Sequence, residues 1–197
     1  MIKSSPKPAA FFYFRTIMRH FLPNGAELII RPPVIEDALG LLRNFQRMTQ
    51  ETDFLLFTPG EALEMSEKSE EDFIKTYLKN PDQLMLVAIA NDTLVGSITV
   101  NHSGYHKRGH TVEMGIAVER AWSSLGIGRR LMTAMLRWAE EHQKIQLIYL
   151  QVFASNDKAI HLYRNFGFLE CGRLPYGIQQ KDGQFTDLVT MYRRVKP

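Results

Sequence analysis

Two glycines, Gly126 and Gly128, stand beside a pair of arginines, Arg129 and Arg130, at a point where the apolar pattern changes period. Glycine lets a backbone approach a ligand closely, and a helix start offers unpaired N–H groups at the positive end of its dipole. Phosphate suits such a corner, although an ordinary tight turn carries the same spacing. Glu113 is a second group of interest, a carboxylate inside the apolar run 111–118. A charge there needs a reason, either chemistry or an ion pair at the strand's edge. Cys171, the single cysteine, follows Gly167-Phe168 at a strand start and reads as a buried structural thiol rather than an acyl-carrying nucleophile. His102, His106 and His110 are four apart, but Gly104 and Gly109 place them in a loop, so no metal is expected from the spacing. Glu61, Glu64, Glu67, Glu70, Glu71 and Asp72 form a dense acidic run. Solvated helix surface is its plain reading, and an attractive field for a cationic substrate is the alternative.

The elements that position these groups follow from periodicity. Residues 111–118 read as a strand, and Ile127, Leu131, Met135 and Trp138 recur at helical spacing up to His142. The glycine pair therefore lies where a strand hands over to a helix. Upstream, residues 27–31 form a short strand, and Ile35, Leu39, Leu42, Phe45 and Met48 mark a helix with Glu36 and Asp37 in its first turn. Pro59-Gly60 breaks the chain, and residues 69–72 look like a capped start for a helix with Phe73, Tyr77 and Leu78 on its apolar side. Residues 84–90 and 94–100 make a hairpin around Asn91-Asp92. Downstream come a strand at 146–153, a helix capped by Ser155 or Asn156 and closed by Gly167, a strand from 168, a turn at 181–184 and a last strand at 187–192. The order β-α-α-β-β-β-α-β-α-β-β predicts one mixed α/β domain over residues 26–197, with right-handed crossovers.

Composition narrows the function classes. A chain of 197 residues, 45% hydrophobic, can bury one full core. No apolar run of about eighteen residues exists, so no membrane span is expected, and a lone cysteine fits a reduced, cytoplasmic protein. The net charge of +3 comes from Lys3, Lys7, Arg15 and Arg19, leaving 20 basic against 21 acidic residues in the body. Nothing there favours nucleic acid as a partner. Residues 1–25 are a basic, aromatic arm in which Phe11, Phe14, Met18, Phe21 and Leu22 could share a helical face. The arm is expected to pack on the domain or on a second subunit of a homodimer, or to be partly disordered; a membrane-surface or targeting segment, or a natural start at Met18, are the alternatives. A P-loop would need Lys and Ser or Thr after its glycines, and a dinucleotide site a third glycine where Leu131 stands.

The stretch Leu150-Gln-Val-Phe-Ala-Ser-Asn-Asp-Lys-Ala-Ile-His-Leu-Tyr-Arg-Asn-Phe-Gly-Phe168 closely resembles the C-terminal motif of the GNAT superfamily, the acyl-CoA-dependent N-acetyltransferases. Asn156, Ala159, Leu162-Tyr163 and Gly167-Phe168 carry the match, and with Val118 and Leu125-Gly-Ile-Gly128 it extends over residues 26–194. The resemblance implies a mostly antiparallel central sheet with one splayed parallel strand pair, flanked by about four helices. It also implies acetyl-CoA as cosubstrate, with no metal. Its pantetheine arm would lie along Ile116, Ala117 and Val118, and its pyrophosphate on the N–H groups of Leu125, Gly126, Ile127, Gly128, Arg129 and Arg130. Asn156 matches a residue that contacts the cofactor in relatives, while also suiting a helix cap. Tyr163 matches the tyrosine that protonates the departing thiolate. Glu113 occupies one of the family's two positions for the base; the other is held here by Gln151. Ser123 stands where Arg or Gln is usual and Ser124 where many members have glycine. The implied acceptor is a small primary amine (polyamine, amino acid or aminoglycoside-like) ahead of a protein N-terminus or lysine, with the aromatic segment from Tyr176 to Phe185 helping to close its site. A non-catalytic acyl-CoA-binding module on the same fold is the rival reading.

Overall fold

In the segment Leu84–Ala90, Leu84, Leu86, Ala88 and Ala90 join one apolar cluster while Met85 and Val87 join another. A strand buried on both sides belongs inside a sheet covered on both faces. The computed structural model, which describes residues 17–196, has this architecture: eight strands in the order β1-β2-β3-β4-β5-β6-β8-β7. They are β1 (Met18–Phe21), β2 (Glu27–Arg31), β3 (Leu84–Ala90), β4 (Thr93–His102), β5 (Thr111–Val118), β6 (Leu147–Phe153), β7 (Leu169–Gln179) and β8 (Phe185–Arg194). Every neighbouring pair is antiparallel except β5 and β6, which run parallel. Five helices flank the sheet: α1 (Ala38–Glu51), α2 (Pro59–Glu64), α3 (Glu67–Lys79), α4 (Ile127–Glu141) and α5 (Asp157–Asn165).

The larger core lies on one face, where Ile127, Leu131, Met132, Met135 and Trp138 of α4 meet the sheet and Tyr163 and Phe168 extend the cluster around α5. The smaller core, on the opposite face, joins Ala38 and Leu41 of α1 and Ile74 and Tyr77 of α3 to Met85, Val87 and Leu94. Arg31 anchors the start of α1 through a bidentate pair with Asp37, at 2.7 and 2.8 Å. The β3–β4 hairpin closes through Asn91 and Asp92, both at positive φ (47° and 59°), as a two-residue turn that matches strand twist requires.

Several local expectations are corrected. Residues 18–22 are not a helical face: Met18–Phe21 pairs with β2 as an edge strand, alternating inward and outward, and Leu22 is buried before the turn at residues 23–25. The sheet thus begins ahead of residue 26, while Phe11 and Phe14 lie outside the described residues. Pro59-Gly60 opens α2 rather than breaking the chain. Proline fits a first helical turn, and Thr58 and Glu61 form a capping box around it. The next helix starts at Glu67 because Ser66 caps it, accepting from the Ser69 N–H while the Ser69 hydroxyl accepts from the Ser66 N–H. The buried side of α3 is Glu70, Ile74 and Tyr77; Phe73 and Leu78 face outward. Cys171 is exposed, because β7 is an edge strand whose residues up to Tyr176 are open to solvent. That edge position also admits Pro175.

Candidate active site

The parallel ladder between β5 and β6 is only three pairs long: Thr111 with Leu147, Val112 with Ile148 and Glu113 with Tyr149. Beyond Glu113 the strands part. β6 continues pairing with β8 through Phe153, while β5 continues with β4 through Val118. A slot therefore opens beside Met114 to Val118. Gly96 of β4 holds the far end of β5 close, since a Cβ there would lie 2.7 Å from the Ala117 carbonyl oxygen. The two strands flanking the slot also carry exposed residues mid-sheet, Gly115 on β5 and Gln151 on β6. Exposure at the centre of an eight-stranded sheet marks an open floor.

At the slot's mouth the chain makes a short 3₁₀ turn and enters α4. Gly126 is the N-cap, at φ 84°, and the first i to i−4 bond runs from the Arg130 N–H to the Gly126 carbonyl at 3.1 Å. The amides of the first helical turn before it have no helical partner. Gly128 faces the slot: a Cβ there would meet Ile116 of β5 and Leu162 of α5 at 3.9 and 3.6 Å. Ser124 sits at φ 64°, a conformation that favours glycine. Arg130 turns back to donate to the carbonyls of Leu125 and Gly126, at 3.4 and 3.2 Å, so it braces the loop, whereas Arg129 is exposed. Asn156 caps α5 by accepting from the Ala159 N–H at 3.1 Å, which leaves its amide N–H₂ free of that bond. Lys158, a cation that sequence reasoning passed over, reaches Ser124 Oγ at 3.4 Å and so joins the same corner.

The loop is clamped from the other side of the sheet. Glu119, buried, accepts from Arg47 Nε (2.8 Å), Arg47 Nη2 (2.5 Å) and Asn44 Nδ2 (2.5 Å), and its N–H donates to Val95. The Arg120 N–H donates to Glu51. α1 thereby fixes where β5 ends and the turn into α4 begins. This linkage joins residues about seventy apart and was invisible in local pattern.

The two candidate catalytic groups lie differently. Tyr163, on the inner face of α5, is nearly fully buried, its ring 6.1 Å from that of Phe168. Burial alone pushes its phenol up to about 12. Glu113, half-buried at the closed end of the slot, accepts from the Tyr149 hydroxyl at 3.2 Å, and Tyr149 accepts from Arg108 at 3.0 Å. Asn101, opposite Glu113 on β4, accepts from the Tyr77 hydroxyl at 2.6 Å. Burial on the inner face of α3 raises the carboxyl of Glu70 above its usual range, and burial first, with Glu70 as a smaller contributor, raises the Tyr77 phenol.

The rest of the acidic run is largely paired within itself. Glu61 accepts from Thr58, and Glu71 and Asp72 each accept from Lys68 and Lys75 at 3.1–3.2 Å. His102, His106 and His110 line a shallow cavity of about 510 Å³ with Asp82 and Lys144. His102 pairs with Val112, six residues and roughly 20 Å along β5 from Val118. Among the described residues no three His, Cys, Asp or Glu side chains are grouped to hold a metal, and no helix is long and apolar enough to cross a membrane.

A family model described as the acetyltransferase (GNAT) family matches residues 46–168. The chain is 26% identical over 133 residues to an L-amino acid N-acetyltransferase of Escherichia coli, covering 67% of this chain and 81% of that one. It is 26% identical over 155 residues to a spermidine N(1)-acetyltransferase of Vibrio cholerae, covering 78% and 87%. The fold matches the crystal structure of a GNAT-family acetyltransferase from Streptococcus pneumoniae with a TM-score of 0.81 at 24% identity, over 85% of this chain and 99% of that one.

Proposed function

The chain belongs to the GNAT acetyltransferase family, and from that premise we propose that it moves the acetyl group of acetyl-CoA to a small primary amine by direct attack within a ternary complex. The observation that carries this reading is the three-pair ladder that ends at Glu113 and leaves an open slot leading to the N–H corner of α4. A pantetheine arm in that slot pairs with the free backbone of Ile116, Ala117 and Val118 as an added strand does. The amides of Leu125 to Arg130 receive pyrophosphate, with the free N–H₂ of Asn156 and the Lys158 ammonium beside them. A backbone N–H near Val118 polarises the acetyl carbonyl.

An alkylammonium must lose its proton before it can attack. Glu113 takes that proton, through water, and Tyr149 holds the carboxylate with a donated hydrogen bond. The phenol of Tyr163 meets the leaving thiolate.

Release of coenzyme A thiol in the presence of a primary-amine panel tests the reading. Glu113→Gln is expected to lower kcat/KM by roughly 10²–10⁴ at neutral pH, the usual range for a general base. Activity should recover as pH rises and the free amine supplies itself. A variant with an unchanged profile removes Glu113 from the mechanism, and a wild-type chain that binds acetyl-CoA without turnover favours the non-catalytic reading.

A further inference from the structure

The face of the sheet opposite α4 presents its side chains in rows set by strand register. One row runs Glu113, Tyr149, Tyr192, Leu169; the next holds Gln151 and Thr190 opposite Gly172; the third holds Phe153, Leu188 and Leu174. Successive rows are two residues apart, about 6–7 Å. The middle row lies at the level of the slot, so an amine reacting there has the carboxylate row on one side and the apolar row on the other. Phe54, from the loop between α1 and α2, lays its ring edge-on against Phe153, with centroids 6.4 Å apart. Phe54 and Leu174 are nonetheless 42% and 59% exposed, and Leu56 and Phe57 on the same loop are exposed as well.

Large apolar groups left open beside a reaction centre are a binding surface in search of an apolar partner. The carboxylates that would favour a polycation are occupied elsewhere: four of the six in the acidic run are ion-paired, capping a helix or buried. The outer end of the apolar row is bridged by Asp53 and Lys181, 2.9 Å apart, which tie the α1–α2 loop to the β7–β8 turn. We propose that the acceptor is a small primary amine whose carbon skeleton ends in an apolar, branched or ring-sized group, seated on Phe54, Leu188 and Leu174 with Phe153 buried behind Phe54. The proposal rests on the acetyl-transfer reading and names its substrate class.

Thiol release by the full chain with acetyl-CoA is measured against phenethylamine, isopentylamine, spermidine and glycinamide. The two apolar amines are expected to exceed spermidine and glycinamide in kcat/KM by at least about 10-fold, the span that one or two buried carbon groups supply. Phe54→Ala and, separately, Leu174→Asn should each reduce the phenethylamine-to-glycinamide ratio by several-fold or more. Leu174 is exposed enough that its exchange leaves folding intact. Spermidine preferred over phenethylamine, or a ratio unmoved in both variants, overturns the apolar assignment while leaving acetyl transfer in place. Turnover with none of the four amines overturns both.

Discussion

Replacing Tyr163 with phenylalanine separates chemistry from packing. The ring is nearly fully buried and burial alone sets the phenol at about 12, with no hydrogen bond contributing. An alkyl thiol titrates near 8.5, so complete proton transfer from Tyr163 to a thiolate runs uphill by about 3.5 pH units, or about 5 kcal/mol. What the phenol supplies is therefore chiefly a hydrogen bond to developing charge, worth about 1.5–3 kcal/mol, which corresponds to a loss of roughly 10–150-fold in kcat for Tyr163→Phe. Among the described residues no hydrogen bond of the fold runs through this hydroxyl, so folding stability should hold to within about 0.5 kcal/mol. Single-turnover thiol release, paired with thermal unfolding, reads both quantities. A lower rate at unchanged Tm is the expected pattern. An unchanged single-turnover rate would refute the hydrogen-bond argument, and a Tm lowered by several degrees would show that the hydroxyl serves the fold instead.

Gly126→Asp is expected to abolish acetyl-CoA binding by calorimetry. It forces a side chain into φ 84°, against Arg130 Nη1 at 2.6 Å, and sets a negative charge where phosphate must sit; retained affinity would move the phosphate site elsewhere. Cys171→Ala should keep full activity with intersecting double-reciprocal lines, because the thiol lies on the exposed edge strand. Parallel lines together with an acylated Cys171 in mass spectra would contradict direct transfer. Glu70→Gln should raise Tm at pH 7–8 and leave it unchanged near pH 4. Burial raises the folded carboxyl above its unfolded value, so the wild-type folded state loses stability as pH climbs from the usual carboxylate range through the raised one. A Tm gain that is the same at both pH values would remove burial of charge as the cause.

The corner that sequence reasoning saw most clearly, strand to glycines to helix, is local: period 2 gives way to period 3.6 within sixteen residues, and α4 begins at Ile127 with its apolar stripe buried. The Asn156 cap and the two-residue hairpin turn were legible for the same reason. What sequence reasoning missed depends on distant partners. Glu70 looks like its acidic neighbours until α3 is laid on the sheet with that face inward. Proline signals a break or a first turn, and only Thr58 and Glu61 decide for the latter. Cys171 sits among residues of strand character, yet among the described residues no strand lies beyond β7 to bury the thiol. Tyr149 reaches Glu113 across 36 residues of chain and Arg108 reaches Tyr149 across 41, and no periodicity announces such contacts.

The brevity of the β5–β6 ladder has a mechanical side. Strands β1 to β5 are joined by continuous antiparallel pairing, and so are β6, β8 and β7, but the two leaves share only three residue pairs. The seam closes contacts 36 residues apart along the chain, a costlier loop than any hairpin within either leaf. Each leaf can therefore behave as its own cooperative unit, with α4 and the shared core, rather than backbone pairing, holding them in register. A molecule that fills the slot would act as a splice across the seam, coupling two units into one.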